Sequence, residues 1–178
     1  MSYQLLKSEV VYPGRAFTVR RDTLRLPNGR ETRYDIVEHP GSVIILPLDD
    51  QGNILFVRQY RHAAGLDLLE LPAGVLNEGE DAETCARREL REETGMAAGH
   101  LEYIGGFYLA PGYSTEFMYV YQATALRPDP LKADSDEFLT VESVTVAEAL
   151  AMARHAEMPD AKSLAALLMS QVHLEKLK

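Results

Sequence analysis

The sequence is poor in cysteine and has no long apolar segment. Its 178 residues include one cysteine, Cys85, which excludes an intramolecular disulfide and a four-cysteine zinc site and suits a reducing cytoplasm. Nowhere do roughly 18 apolar residues run together, and residues 1–11 lack the basic start and apolar core of a secretory signal. We therefore expect a cytoplasmic protein that neither spans a membrane nor is exported.

Positive charge is also scarce. Lysine and arginine number 18 against 27 aspartates and glutamates, which gives a net charge of −9. Binding to nucleic acid or to an anionic membrane would need a broad basic face, so neither partner is expected. A chain of this length buries enough surface to form a core without a metal. A metal ion would therefore serve chemistry, and an acidic protein that handles a phosphate substrate would need such ions together with local arginines.

The N-terminal part of the sequence has the pattern of a β hairpin. Apolar residues alternate on both sides of Pro27-Asn28-Gly29, so residues 15–37 are predicted to form a two-stranded antiparallel ribbon. The boundary with the main body is placed at His39-Pro40-Gly41. We expect residues 1–40 to carry the ribbon and residues 41–178 to form the main domain.

The main body mixes strands and helices without regular alternation. Helices are predicted at residues 81–94, 146–155 and 161–177, with Asp160 capping the last. Pro72 and Gly74 end a strand, since proline cannot donate to a central ladder. The predicted strands are residues 43–46, 54–57, 68–71, 101–108, 117–123 and 138–144, the first two paired as a hairpin around the turn at 49–53. This order predicts an α+β fold with a mixed sheet packed between helices.

The helix at residues 81–94 concentrates carboxylates on one face. Glu89 and Glu93 are four residues apart, so they are neighbours, and Glu92 is three residues from Glu89. Arg88 is placed to pair with Glu92, whereas no helical arginine is placed to pair with Glu89 and Glu93. A hard divalent cation would resolve the repulsion between these two carboxylates. A solvated charged face is the alternative for a generic acidic helix.

The residues from Gly74 to Met96, which include this helix, follow a recognisable spacing. Gly74 is followed after five residues by Glu80 and after seven more by Arg88-Glu89-Leu90-Arg91-Glu92-Glu93-Thr94-Gly95-Met96. This pattern resembles the Nudix box of the Nudix hydrolases without a departure. The resemblance implies a Nudix α/β/α sandwich with a mixed sheet, to which the N-terminal antiparallel β ribbon is added. It also implies an enzyme that hydrolyses a pyrophosphate with Mg²⁺, for which Mn²⁺ is a possible substitute.

By this resemblance, residues of the box have separate roles. Glu89 and Glu93 are the principal metal ligands, Glu92 is a further ligand or a neighbour through water, and the carbonyl of Ala73 completes the shell. Arg88 orients the carboxylates through its fork of donors. Glu80 is an accessory contact.

Sequences outside the box resemble the ADP-ribose pyrophosphatase branch. They are Arg58-Gln59-Tyr60-Arg61, Glu70-Leu71-Pro72-Ala73-Gly74 and Ala110-Pro111-Gly112-Tyr113-Ser114-Thr115-Glu116. Related nucleotide-sugar pyrophosphatases share most of these motifs. The branch also implies a homodimer that exchanges its N-terminal elements between subunits.

Several residues are candidates for the substrate. Arg58 and Arg61 hold a diphosphate or a terminal phosphate, or else are exposed arginines without a role. Glu70 has three interpretations: it bonds ribose hydroxyls, joins the metal shell, or forms a salt bridge with one of these arginines. The remaining substrate candidates lie in one loop, namely Pro111, Gly112, Ser114 and Glu116.

One carboxylate of an acidic segment is expected to position or deprotonate the attacking water. Asp136 and Glu137 are both candidates, because their neighbours are also acidic and the alignment slips by a residue. The five histidines share no ligand spacing and are not expected to act in catalysis. Cys85 is placed on the inner helix face as a small core residue.

These inferences lead to one expected activity and two alternatives. We expect hydrolysis of ADP-ribose to AMP and ribose 5-phosphate. The nearest alternative is another nucleoside diphosphate sugar, such as GDP-mannose. The alternative of another class is a Nudix-fold binding module without turnover, which would not need to retain Arg88, Glu89, Glu92 and Glu93 together.

Overall fold

The computed structural model describes residues 2–132, 138–155 and 157–174. The described chain forms two compact units. One comprises the residues up to Gly41 together with Phe107–Phe117, and the other comprises Ser42–Gly106 and the described residues from Met118 onward. Among these residues, no helix is both long and apolar enough to cross a membrane.

The first unit is built on a three-stranded antiparallel sheet. Its strands are β1 (Gln4–Pro13), β2 (Thr18–Arg25) and β3 (Glu31–Glu38), in the order β1-β2-β3. The predicted hairpin is present as β2 and β3, joined by a turn in which the Gly29 amide donates to the Leu26 carbonyl at 2.9 Å. The prediction of only two strands is wrong, because β1 pairs with the other edge of β2. Two irregularities in the β1 register, between Leu5 and Lys7 and between Val10 and Tyr12, interrupt the alternation that identifies a strand in a sequence.

The second unit contains two further sheets and three helices. One sheet has the order β10-β5-β6 and the other the order β7-β4-β9-β8. The strands are β4 (Ser42–Pro47), β5 (Asn53–Arg61), β6 (Leu66–Glu70), β7 (Ala73–Val75), β8 (Met96–Tyr108), β9 (Phe117–Pro128) and β10 (Leu139–Thr145), of which β8 and β9 extend into the first unit. The helices are α1 (Ala82–Thr94), α2 (Val146–Arg154) and α3 (Ala161–Leu174).

The predicted hairpin of β4 and β5 is wrong. An isolated antiparallel bridge joins Leu48, the residue after β4, to Ile54 of β5, but β4 and β5 belong to different sheets. Every residue of β4 is buried, and the strand pairs with β9 in parallel and with β7 antiparallel. A continuous apolar run is typical of a strand covered on both faces. Because β9 and β7 pair with the two edges of β4, neither edge is left for β5.

The core lies against both faces of the sheet that contains β4. On one face, Cys85, Ala86 and Leu90 of α1 pack with side chains of the sheet, namely Val43, Ile45, Tyr121 and Ala123. Helix α3 also contacts β4, and its Ser163 accepts a hydrogen bond from the Leu71 amide. The sheet thus fixes α1 and the first turn of α3 relative to the segment between β6 and β7.

Candidate active site

Helix α1 has a defined start and end. The Asp81 side chain accepts from the Thr84 amide at 3.0 Å, and Gly95 ends the helix in the left-handed conformation at φ 72°. Both ends agree with the prediction. Because these caps fix the helix rotation together with the buried Leu90, Glu89 and Glu93 lie on the inner face, with only 8% and 4% of their surface exposed.

The short strand β7 lies directly under these two carboxylates. The Ala73 amide donates to Glu93 Oε2 at 3.1 Å. A Cβ atom on Gly74 would lie 1.9 Å from Glu89 Cδ, so only glycine leaves room for that side chain. The sequence predicts that Gly74 ends a strand, and the structure shows in addition that its backbone lies against the Glu89 side chain.

Arg88 connects the carboxylates around α1. Its Nε and one terminal nitrogen donate to the two oxygens of Glu80, each at 2.9 Å. The other terminal nitrogen donates to Glu92 at 2.9 Å and to Glu89 at 2.5 Å. The pair with Glu92 agrees with the prediction. The expectation that no helical arginine pairs with Glu89 is wrong, because Arg88 also donates to the carboxylate of this adjacent residue.

The contacts of Arg88 shift the acid–base properties of its partners. The guanidinium lowers the pKa of Glu80 to about 2, mainly through the hydrogen bonds between them. In turn, the Glu80 carboxylate raises the pKa of Arg88. Burial raises the pKa of the neighbouring Cys85 thiol to about 12. Arg88 and Glu80 are therefore both charged at neutral pH, and the thiol is protonated.

Glu70 forms a salt bridge, which is one of its three predicted interpretations. Its side chain is 1% exposed, and its two oxygens accept from Arg61 at 2.8 and 2.7 Å. Lys162 of α3 donates to the same carboxylate. Burial acts to raise the pKa of Glu70, but the hydrogen bonds and charges of Arg61 and Lys162 outweigh it and hold the pKa below its usual value.

The two arginines of β5 take different partners. Arg58 lies on the exposed surface and donates to both oxygens of Glu142 in β10, at 2.5 and 3.1 Å. Arg61 is engaged by Glu70 instead. Each arginine is therefore held by a separate carboxylate, and their binding of a diphosphate or a terminal phosphate stays a prediction.

The loop with the other substrate candidates is held by the end of β3. The Val37 amide donates to the Tyr113 carbonyl at 2.7 Å, and the Thr115 amide donates back to the Val37 carbonyl at 3.0 Å. The Ser114 hydroxyl accepts from the Glu116 amide at 3.1 Å. Pro111 and Gly112 lie at the turn of this loop, where the Ser114 amide donates to the Ala110 carbonyl at 2.8 Å. Asp136 and Glu137 lie outside the described residues.

A model of the Nudix domain matches residues 38–167. The chain belongs to the Nudix family. Residues 3–37 match a second model, the nucleoside diphosphate sugar hydrolase N-terminal domain. Together the two models place the chain among Nudix hydrolases of nucleoside diphosphate sugars, which confirms the sequence prediction.

Two curated relatives and a solved structure are similar over most of the chain. An ADP-ribose pyrophosphatase of Bacillus subtilis (strain 168) is 37% identical over 164 residues, covering 91% of this chain and 89% of that protein. An ADP-ribose pyrophosphatase of Mycobacterium tuberculosis is 38% identical over 171 residues, covering 93% and 82%. A crystal structure of an ADP compounds hydrolase has a TM-score of 0.87 at 26% identity, covering 99% of this chain and 96% of that one. The predicted Nudix fold with its antiparallel N-terminal sheet is thereby confirmed.

Nudix hydrolases generally use a divalent metal, and the donor set of this chain suits one. Glu89 and Glu93 offer carboxylate oxygens on one buried face, next to a backbone that gives room to Glu89. Among the described residues, no three acidic, histidine or cysteine side chains are gathered to enclose an ion. Magnesium is commonly held by one or two carboxylates and completes its shell with water and substrate phosphate. Two protein carboxylates are therefore a fitting set for Mg²⁺.

Helix α3 makes contacts that the sequence does not predict. Its predicted cap, Asp160, is confirmed by the bond from the Ser163 amide at 3.1 Å. Lys162 and Ser163 have no predicted role, yet they contact Glu70 and Leu71. The available signal was the cap itself, because a cap fixes which side chains the first helical turn presents.

Proposed function

We propose that this Nudix protein hydrolyses ADP-ribose to AMP and ribose 5-phosphate with Mg²⁺. The observation that carries the proposal is the placement of Glu89 and Glu93, buried side by side above Gly74 and Ala73. Such a pair of carboxylates suits a metal that assists attack on a pyrophosphate. ADP-ribose is favoured over other nucleotide sugars because the chain is 37% and 38% identical to two ADP-ribose pyrophosphatases.

The side chains of α1 would prepare the site for this reaction. Glu89 and Glu93 would hold the metal, with Glu92 and the Ala73 carbonyl as further contacts. Bound Mg²⁺ would neutralise the charge that develops as the P–O bond breaks. Arg88 keeps Glu89 and Glu92 in place through charge-assisted hydrogen bonds. Water attacks one phosphorus, assisted by Asp136 or Glu137, and no covalent enzyme intermediate forms.

Arg61 is the stronger of the two candidate diphosphate contacts. Glu70 fixes the Arg61 guanidinium, but 40% of the Arg61 side chain remains exposed. A substrate can therefore reach a side chain whose orientation is already set. Arg58 is paired with Glu142 in the same bidentate way and is 43% exposed in its side chain. Arg61 differs because it is close enough to the Nudix carboxylate Glu93 for that charge to raise its pKa. The substrate contacts of Pro111, Gly112, Ser114 and Glu116 rest on their resemblance to the branch.

We also propose a homodimer formed through the N-terminal sheet. The strands of this sheet expose the large apolar side chains of Leu5, Val10, Val11, Tyr12 and Tyr34, and Phe17, just before β2, is also exposed. Large exposed apolar side chains are common at interfaces between subunits. The occupant would be the same sheet of a second copy, since closed two-fold assemblies are the commonest oligomers.

A cytoplasmic location stays a prediction, supported by the single free thiol.

A substrate panel tests the proposed activity. ADP-ribose, GDP-mannose, ADP-glucose, diadenosine polyphosphates and 8-oxo-dGTP are compared by kcat/KM with Mg²⁺, because specificity is a ratio of these values. ADP-ribose is expected to have the highest value. A lead of about tenfold for GDP-mannose, or about 1.4 kcal/mol, would overturn the branch assignment and leave the reaction type intact.

A further inference from the structure

The first turn of α3 is attached to the segment that enters the active site. The Ser163 hydroxyl accepts from the Leu71 amide at 2.7 Å and donates to Asp160. Lys162 pairs with Asp160 at 2.9 Å and also with Glu70. Glu70 and Leu71 lead directly into Ala73 and Gly74, which lie under the Nudix carboxylates. A change in α3 is therefore able to reach the site through this segment.

Lys162, Glu70 and Arg61 form a row of alternating charges with unequal exposure. The exposed fractions of the side chains are 14% for Lys162, 1% for Glu70 and 40% for Arg61. Only Arg61 presents a substantial part of its charge to solvent. Glu70 engages two of the five N–H groups of a guanidinium, which leaves three available to an anion.

The charge of Glu70 sets what Arg61 can offer to a substrate. An Arg61–Glu70 pair alone would have no net charge, and the buried carboxylate would reduce the attraction between Arg61 and a phosphate. Glu70, Asp160 and Glu93 all act electrostatically on Arg61. Lys162 supplies a second positive charge, paired with Glu70 and Asp160, which offsets part of this negative charge. Asp160 is engaged at the same time by the N-terminus of α3, where the helix dipole favours a negative group.

We infer that Lys162 is a positioning residue of the diphosphate site. It neutralises Glu70, so that this carboxylate orients Arg61 without cancelling the attraction of Arg61 for the substrate. The inference rests on the proposed function, because it assigns Arg61 to the diphosphate. It adds a residue of α3 that does not contact the substrate and acts through Glu70.

The test compares Lys162→Met with Lys162→Arg and with the double variant Glu70→Gln/Lys162→Met. Lys162→Met is expected to raise KM for ADP-ribose about tenfold and to change kcat less than about threefold. Lys162→Arg keeps the charge and is expected to stay within about twofold of wild type. The double variant also removes the carboxylate that Lys162 neutralises, so its KM is expected to be at least about threefold lower than that of Lys162→Met. Lys132→Met, at an exposed lysine, is the matched control.

A purely structural role would give another pattern. Loss of folded protein would lower the apparent kcat of Lys162→Met at unchanged KM, and that result would overturn the inference. If Lys162→Met does not fold, the double variant decides, since a KM raised tenfold there contradicts the charge-balance argument. The comparison of these variants therefore tests the inference whether or not Lys162→Met folds.

Binding without turnover separates this inference from the proposed function. Calorimetry in EDTA measures the Kd of ADP-ribose and of inorganic pyrophosphate, which carries the diphosphate alone. If wild type binds either probe about tenfold more tightly than Lys162→Met, the inference holds even if ADP-ribose is not hydrolysed. Equal Kd values, or no binding of either probe to wild type, overturn it.

Discussion

The Glu89 side chain fills the space that a side chain on Gly74 would need. A Cβ atom on Gly74 would lie 1.9 Å from both Cδ and Oε1 of Glu89 and 2.5 Å from its Cγ. The atoms in conflict belong to a side chain rather than to the backbone. An added methyl group would therefore displace the Glu89 carboxylate and leave the sheet and the helix in place.

Gly74→Ala is expected to abolish most activity at little cost in stability. Displacing a ligand carboxylate by about an ångström is enough to lower the rate about a hundredfold. Circular dichroism melting and kcat/KM for ADP-ribose check the two parts separately. A variant with normal activity would show that Glu89 does not need its present position, whereas a large loss of stability would show that the clash reaches the backbone.

Glu80→Gln is expected to destabilise the protein at about pH 7 and much less at about pH 3. The pKa of Glu80 is lowered from 4.5 to about 2 in the folded protein by Arg88. A carboxyl group with a lowered folded-state pKa stabilises the protein above its unfolded-state pKa, and this contribution is lost as the pH falls toward the folded-state value. Urea unfolding in EDTA at several pH values measures the difference between wild type and variant. Glu102→Gln, at an exposed position of β8, is the control.

The destabilisation by Glu80→Gln must depend on pH to support this account. A difference between wild type and variant that stays constant from about pH 7 to about pH 3 would mean that the charge of Glu80 does not contribute. A comparable loss in Glu102→Gln would point to the general charge of the protein instead.

Cys85 is expected to resist thiol reagents while the protein is folded. It is completely buried, and burial raises its pKa to about 12, so it is almost entirely protonated at about pH 8. Labelling with a chromogenic disulfide reagent should be slow in buffer and complete in urea. Rapid labelling of the folded protein would contradict the packing of α1 on the sheet.

Val10→Asp is expected to convert the proposed homodimer into a monomer. Val10 is 60% exposed on β1, so a charge there costs little in the isolated subunit but would be buried in an interface formed by this sheet. Val172→Asp is the matched control, because Val172 is 63% exposed on α3. Sedimentation velocity at micromolar concentration measures both variants. Wild type that sediments as a monomer, or a Val10→Asp dimer, would count against the sheet as the interface.

The sequence predicts those parts of the molecule that depend on local signals. Asp81 and Gly95 mark the ends of α1, and the Pro27-Asn28-Gly29 turn marks the hairpin of β2 and β3. Pairing between distant strands is not a local property. The apolar pattern of β4 therefore identifies a buried strand but not its partners, β7 and β9.

The candidate site shows the same division. Spacing along the sequence places Glu89, Glu92 and Glu93 on one turn of helix near Arg88, and the contact between Arg88 and Glu92 follows from it. The contact between Lys162 and Glu70 joins residues 92 positions apart. No periodicity relates two such residues, so only the folded chain reveals the pair.

Glu89 and Glu93 are proposed to hold the divalent metal with which this protein hydrolyses ADP-ribose. Chromatographic identification of the products from ADP-ribose with Mg²⁺, with EDTA, and with Glu93→Gln at saturating Mg²⁺ tests this proposal. We expect equal amounts of AMP and ribose 5-phosphate with wild type and Mg²⁺, no turnover in EDTA, and a rate lower by at least about a hundredfold for the variant. Unchanged turnover in EDTA, different products, or a near-normal rate for Glu93→Gln would contradict it.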